Sequence, residues 1–545
     1  MESYARGETE PALLEETIGA NLDRTVARFP DREALVEFAT GRRWTWREFD
    51  HDVELVGRGL IAAGIEKGDR VGIWGPNSAR WTILQYATAK IGAILVNVNP
   101  AYRTHEFSYA VNQSSMRLLV SATSFKTSDY RGMVEETAHL NTALERVVYL
   151  DTDDWDALVA EGEALDADVL NVRKRTLEPG DPINIQYTSG TTGRPKGATL
   201  SHRNILNNGY LVTELIGFTE QDRLCIPVPF YHCFGMVMAN LGCTTHGATM
   251  VIPAPGFDPE VTLRAVAGER CTAVYGVPTM FIAMQHHPSF TDHDLSSLRT
   301  GIMAGSICPV EVMKRCVHDM HMEAASIAYG MTETSPVSCQ TRADDDLERR
   351  TASIGRVHPH VEIKIVDPAT GETVERGQPG EFCTRGYSVM LGYWDDPEQT
   401  AEALRGGWMH TGDLAVMDEE GYINIVGRIK DMVIRGGENI FPSEIEEFLY
   451  SHPDILEAQV IGVPDEKYGE ELMACLRMRE GAEPLTAEQL REFCTGKVAH
   501  FKIPRYVQIV DSFPMTVTGK VRKVQMRAEA VELLGLQGAA ATEHA

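Results

Sequence analysis

The chain has little positive charge: 51 lysines and arginines stand against 78 acidic residues in 545, a formal net charge of −27. That balance argues against a nucleic-acid surface, and an anionic ligand must be met by locally placed cations. A salt-adapted, acidic proteome accounts for the charge equally well. Ordered cysteine spacing is also lacking. The ten cysteines show no C-x-x-C pair and no histidine at ligand spacing, so neither a zinc site nor a disulfide framework is indicated. Reduced, mostly buried thiols are expected. No apolar run approaches the roughly 20 residues needed to cross a bilayer, and residues 1–16 are acidic with no apolar signal core. The expectation is a cytoplasmic protein without a transmembrane segment, with a mitochondrial matrix form cut from a longer precursor left open. Internal repeats and low-complexity tracts are lacking as well.

What is present centres on residues 187–202, Y-T-S-G-T-T-G-R-P-K-G-A-T-L-S-H. The alternating apolar run Ile183, Ile185, Tyr187 predicts a strand leading into it. Glycines let backbone N–H groups converge on anionic oxygens, hydroxyls add donors, and Lys196 adds charge, so the loop suits a polyphosphate. It is not a Walker loop, because Pro195 precedes the lysine and Gly197 follows it.

Length alone predicts a large domain plus at least one smaller unit. Leu14, Ile18, Leu22 and Val26 recur every four residues and predict a helix over residues 11–28. A strand over 69–74, a helix carrying Trp81, Leu84 and Ile91, and a strand over 93–98 set a β-α-β rhythm. Apolar strands near 224–228, 248–252, 272–277, 300–304 and 324–328 continue it, and Pro259 and Pro309 mark helix starts. Such alternation predicts a mostly parallel, doubly wound α/β sheet, with ligands beyond the carboxyl ends of its strands. That rule nominates residues 229–232, 305–306 and 329–333. From 353 to 394 short alternating strands with turns predict a small β-barrel or sandwich. A compact α/β unit follows residue 430, its helices opened by capping boxes Ser443/Glu446 and Thr486/Gln489. The division expected is an N-terminal domain over 1–429, with a β-rich subdomain over about 353–429, and a lid domain over 430–545.

From about Thr17 to Arg527 the chain resembles the adenylate-forming superfamily. It is similar to the acyl-CoA synthetases and, through Y-G-M-T-E-T-S-P-V, V-M-L-G-Y-W and R-G-G-E-N-I-F-P, to their medium-chain fatty acyl branch. The resemblance implies two steps: a carboxylate attacks the α-phosphate of ATP, giving acyl-adenylate and pyrophosphate, and a thiol then displaces AMP. Coenzyme A would be the co-substrate and Mg²⁺ the metal.

By resemblance, Thr188, Ser189, Gly190, Thr191, Thr192, Gly193, Arg194, Pro195 and Lys196 cradle phosphates, with Gly305, Ser306 and Gly330 beside the nucleotide. Tyr329 would stack on adenine, Thr332 would bind phosphate and Glu333 would hold Mg²⁺, which commonly takes one or two protein carboxylates. Asp413 would grip the ribose, with Arg428 contacting ribose or phosphate. Lys520 would neutralise charge between carboxylate and α-phosphate, making Lys520, Glu333 and Thr188 the catalytic set. Lys430 falls at the hinge position, and rotation there would bring Arg435, Gly436 and Gly437 to the thiol.

The acyl pocket would be lined by His232, Cys233, Met236, Val237, Ala304 and Met331, while Met238 and Leu241 read as core. With no aspartate in that segment to hold an α-ammonium, a plain carboxylic acid is expected. An aromatic acid, or an acceptor that is a carrier protein or an amine, stays open. The resemblance also implies a homodimer, though no interface is visible in the sequence.

Overall fold

The computed structural model describes residues 1–188, 195–306, 308–429, 431–435, 438–465, 467–516 and 521–537. The β-α-β rhythm folds into two mostly parallel sheets. In the seven-stranded sheet, Arg70–Trp74, Ile94–Asn97, Leu118–Ser121, Arg146–Tyr149 and Pro182–Thr188 run parallel, and Lys196–Ser201 and Gly392–Tyr393 add an antiparallel edge. The nine-stranded sheet is built around parallel Arg223–Cys225, Thr249–Ile252, Ala273–Gly276, Thr300–Ala304 and Ala324–Gly330. One continuous apolar core joins both sheets, from Leu22 and Trp46 through Val71 and Ala198 to Tyr275 and Ala304.

The third sheet is antiparallel and five-stranded: Tyr4–Arg6, Val361–Val366, Gly380–Gly386, Met409–Met417 and Ile423–Arg428 in spatial order. It supplies the expected β-rich subdomain as an open half-barrel, and it recruits an N-terminal strand that sequence patterning did not signal. Beyond it, Val433–Arg435, Glu438–Ile440, Ile455–Asp465, Gly469–Met478 and Tyr506–Ile509 form a separate sheet with its own core around Val433, Leu449, Val460 and Leu476.

Several helix starts differ from the sequence reading. The first helix is Ile18–Arg28, capped by the Thr17 side chain on the Ala20 N–H. Leu14 lies outside it because its backbone is tied to Asn207. Pro309 is the residue before Val310–His318 rather than its first turn, with extended backbone at φ −65° and ψ 133°. The Thr486/Gln489 box forms, but Ser443/Glu446 does not. Pro442 takes the first helical position, Ser443 Oγ donates to the Val426 carbonyl, and Glu446 accepts from the Val460 N–H and from Lys523.

A charge hidden from sequence patterning cross-links the first three helices. The fully buried Lys90, on Ala79–Ile91, places its ammonium 2.7 Å from Asp23, 2.5 Å from Asp50 and 3.2 Å from Glu54. Burial opposes that charge, and the three carboxylates more than offset it, so the lysine pKa is raised.

Segment 234–241 is a π-helix, every residue buried. Such helices are rare and concentrate at functional sites. Its widened turns need extra carbonyl partners, and side chains from other elements supply them. Gln85 Nε2 donates to the Met236 carbonyl at 2.9 Å and Tyr86 Oη to that of Asn240 at 3.0 Å, while Asn97 donates to the Tyr231 carbonyl just before the helix at 2.8 Å. The Met236 sulfur accepts from Asn97 and Gln186.

Candidate active site

The carboxyl ends of the two parallel sheets converge where Thr188, the last residue of its strand, donates to Glu333 Oε1 at 3.0 Å. Glu333 sits in the 3-10 turn Thr332–Thr334, directly after the strand Ala324–Gly330. Gly330 makes that turn possible, since a Cβ there would lie 1.6 Å from the Pro336 carbonyl oxygen. Tyr393 Oη donates to the same Oε1 at 2.9 Å. Both of these hydrogen bonds go to one carboxylate oxygen of a residue that is only 4% exposed.

Lys196 opens the strand Lys196–Ser201, after the candidate phosphate loop. Its ammonium lies 5.1 Å from the centre of the Tyr393 ring and donates to Gln399. Tyr393 therefore contacts both the cation and the carboxylate of the site. Beside Glu333 its phenol pKa is pushed far up, first by burial and then by the carboxylate charge, so it remains a donor.

The third sheet contributes Asp413, 7% exposed. Tyr329 Oη donates to its Oδ2 at 2.6 Å and Arg428 Nε to its Oδ1 at 2.9 Å. The Tyr329 phenol is held protonated by burial, then by Asp413, and its ring meets Phe382 edge-on at 4.9 Å. Asp413 in turn raises the Arg428 pKa. Phosphate-loop, adenine and ribose candidates thus form two chains of contacts, Lys196–Tyr393–Glu333–Thr188 and Tyr329–Asp413–Arg428, drawn from three sheets.

Gly305 and Ser306 follow the strand Thr300–Ala304 and are exposed, Gly305 with φ +93°. Thr332 is buried and Met331 half-buried. Of the pocket candidates, Cys233, Met236, Val237 and Ala304 are buried and His232 is half-buried, with its Nδ1 accepting from the Phe234 N–H. Burial raises the Cys233 thiol, which is held as a neutral side chain. Arg435 is engaged by Glu471 at 2.7 Å and donates to the Phe501 carbonyl. Ser189, Gly190, Thr191, Thr192, Gly193, Arg194, Lys430, Gly436, Gly437 and Lys520 lie outside the described residues.

Sequence reasoning missed Tyr393 and Gln399. The signal available was G-Y-W, used above only as a mark of resemblance, and the D-D-P-E-Q-T that follows it.

Residues 22–394 match the AMP-binding enzyme family, and residues 444–520 match the AMP-binding enzyme C-terminal domain. YngI of Bacillus subtilis, whose name assigns it to the acyl-CoA synthetases, is 46% identical over 544 residues, covering 96% of this chain and 99% of the relative. The medium-chain acyl-CoA ligase ACSF2, mitochondrial, of Danio rerio is 45% identical over 555 residues, covering 98% and 91%. The crystal structure of the anthranilate CoA ligase AuaEII in complex with anthranoyl-AMP superposes with a TM-score of 0.86 at 27% identity, covering 96% of this chain and 98% of that one. The chain belongs to the AMP-binding, adenylate-forming enzymes. Within them it is an AMP-forming acid–thiol ligase, an acyl-CoA synthetase that uses ATP and coenzyme A and acts on a carboxylic acid.

Proposed function

We propose that the protein activates a medium-chain fatty acid: carboxylate and ATP give acyl-adenylate and pyrophosphate, and coenzyme A then displaces AMP. The observation that supports the nucleotide half of this reading is the contact of Thr188 with Glu333, which joins the start of the candidate phosphate loop to a carboxylate. Attack of one anion on another requires cations at the point of attack. Lys196 and Lys520 are assigned to that role, Lys196 on the leaving pyrophosphate and Lys520 between carboxylate and α-phosphate. The donor set at Glu333, a carboxylate oxygen and the Thr188 hydroxyl, fits a hard divalent cation such as Mg²⁺, which would screen the phosphate charge when bound. Asp413 and Arg428 would hold the ribose and Tyr329 the adenine.

We divide the chain at residue 430, with Lys430 as the hinge of a lid that carries Lys520 for the first step and Arg435-Gly436-Gly437 for the second. A cavity of about 470 Å³ on the lid is lined by Arg435, Arg491, Arg505 and His500 with one acidic residue, Glu471. In a chain of net charge −27, such a local excess of cations suits the phosphates of coenzyme A. Arg435 Nε is buried and has no hydrogen-bond partner among the described residues. The π-helix over 234–241, with Ala304 and Met331, would form the acyl wall, and its apolar composition favours a plain fatty acid. A cytoplasmic location and a homodimer belong to the same reading.

The test is mass spectrometry of one reaction containing Mg-ATP, coenzyme A and a mixture of linear, branched and aromatic acids. The expected products are linear medium-chain CoA thioesters with AMP and pyrophosphate. Aryl thioesters as main products would overturn the substrate assignment. Adenylate without thioester would overturn coenzyme A as acceptor in favour of a carrier protein or amine.

A further inference from the structure

The segment that presents Asp413 is a bulge, and bulges leave backbone groups without ladder partners. Strands Gly380–Gly386 and Met409–Met417 pair Glu381 with Leu414 and Cys383 with His410, so a step of two residues on one strand faces a step of four on the other. Thr411, Gly412 and Asp413 fill the surplus, and Gly412 takes φ +72°, which favours glycine. The displaced groups are nonetheless satisfied. The Gly412 carbonyl accepts from the Ile429 N–H at 3.0 Å. Thr411 Oγ1 donates to the Phe382 carbonyl at 2.7 Å and accepts from the Asp413 N–H at 3.2 Å. The Gly412 N–H donates to Glu381 Oε1 at 3.2 Å.

Glu381 is 5% exposed, and its other oxygen accepts from His410 Nδ1 at 2.8 Å and from Arg405 at 3.2 Å. One carboxylate therefore ties down the residues on both sides of Thr411. We propose that Glu381 is a positioning residue for the nucleotide, clamping the 411–413 bulge so that Asp413 meets the ribose hydroxyls in a fixed orientation. The inference rests on the reading of Asp413 as the ribose contact. Burial alone would raise the Glu381 pKa, but the His410, Gly412 and Arg405 donors reverse this and keep it lowered, so the clamp is charged. The Cys383 thiol, 3.3 Å from the same His410 nitrogen, is pushed up to about 12 by burial and adds no competing charge. No other carboxylate among the described residues accepts a hydrogen bond from this bulge's backbone.

The test is calorimetric titration of the full chain with AMP and with 2′,3′-dideoxy-AMP, for wild type and for E381L, E381Q and D413N. Wild type should bind AMP at least about tenfold more tightly than the dideoxy nucleotide, the scale of a hydrogen bond to a charged group. E381L should lose about tenfold for AMP and almost nothing for dideoxy-AMP, so that the preference collapses. E381Q, which keeps one acceptor, should fall between them. Equal weakening of both nucleotides would overturn the inference, because a role in general stability predicts that pattern. Retention of the preference in E381L, with loss in D413N, would overturn the clamp and leave the ribose reading standing. Retention in D413N would overturn both. Should E381L fail to fold, an unchanged preference in E381Q is by itself contradictory.

Discussion

Among the described residues, Lys196, Glu333, Asp413 and Arg428 are each held by a neighbour, and Tyr393 shares the holding of Glu333 with Thr188. Its hydroxyl bonds to Glu333 Oε1 at 2.9 Å while its ring faces Lys196. Tyr393→Phe keeps the cation–π contact and removes only the hydroxyl. A hydrogen bond to a charged acceptor is worth about 1.5–3 kcal/mol. We expect the Mg²⁺ concentration for half-maximal adenylation to rise about tenfold, with the KM for the acid unchanged, in a free-Mg²⁺ titration. A second residue governs stability. His202 is fully buried, accepts from the Ile18 N–H through Nδ1, and is held down to about 3 by burial. Its folded pKa lies below the unfolded value, so the unfolded chain takes up the proton first and stability falls as pH drops from about 6.5 toward 3. His202→Asn, which keeps an acceptor near the Nδ1 position, should remove that share. Its stability relative to wild type should improve by about 1.4 kcal/mol per pH unit below 6.5 in urea titrations. A constant difference would contradict the assignment. Thr188, Glu333 and Asp413 were legible in the sequence because each stands in a contiguous run of unusual residues. Glu381 and Tyr393 were not, since the contacts that single them out join elements distant in sequence; Thr188 and Glu333 themselves are 145 positions apart.

At the level of elements, strand–helix alternation read correctly because parallel strands buried on both faces give unbroken apolar runs between turn residues. Ends read less well. The first helix begins at its Thr17 cap and not where the apolar beat begins, and Pro442 displaced the capping box expected at Ser443. The π-helix was invisible, because an eight-residue segment with no polar face offers no period by which to tell it from an α-helix. Its backbone lies hard against the helix His202–Glu214 at Gly209, where a Cβ would stand 2.7 Å from the Val237 carbonyl oxygen and 2.9 Å from Leu241 Cβ. Gly209→Ala must part the two helices, at a cost of about 1–3 kcal/mol, the usual range for overpacking. It should lower the thermal midpoint and alter the chain-length profile of CoA thioester formation. A stable variant with a wild-type profile would contradict the role of the π-helix as acyl wall.

Over the whole molecule, three sheets with separate strand systems each deliver one part of the proposed nucleotide site. The seven-stranded sheet brings Thr188, Lys196 and Tyr393, the nine-stranded sheet brings Tyr329 and Glu333, and the antiparallel sheet brings Asp413 and Arg428. No helix among the described residues is long and apolar enough to cross a membrane. The convergence accounts for a reaction in which carboxylate, triphosphate and ribose must be held together before a thiol is admitted. The most direct test is exchange of labelled pyrophosphate into ATP with Mg²⁺ and a medium-chain acid present and coenzyme A omitted. The account predicts acid-dependent exchange in the wild type and none in Glu333→Gln or Lys520→Ala. Exchange that needs no acid, or CoA thioester made with release of ADP and phosphate, would contradict adenylate formation at this site.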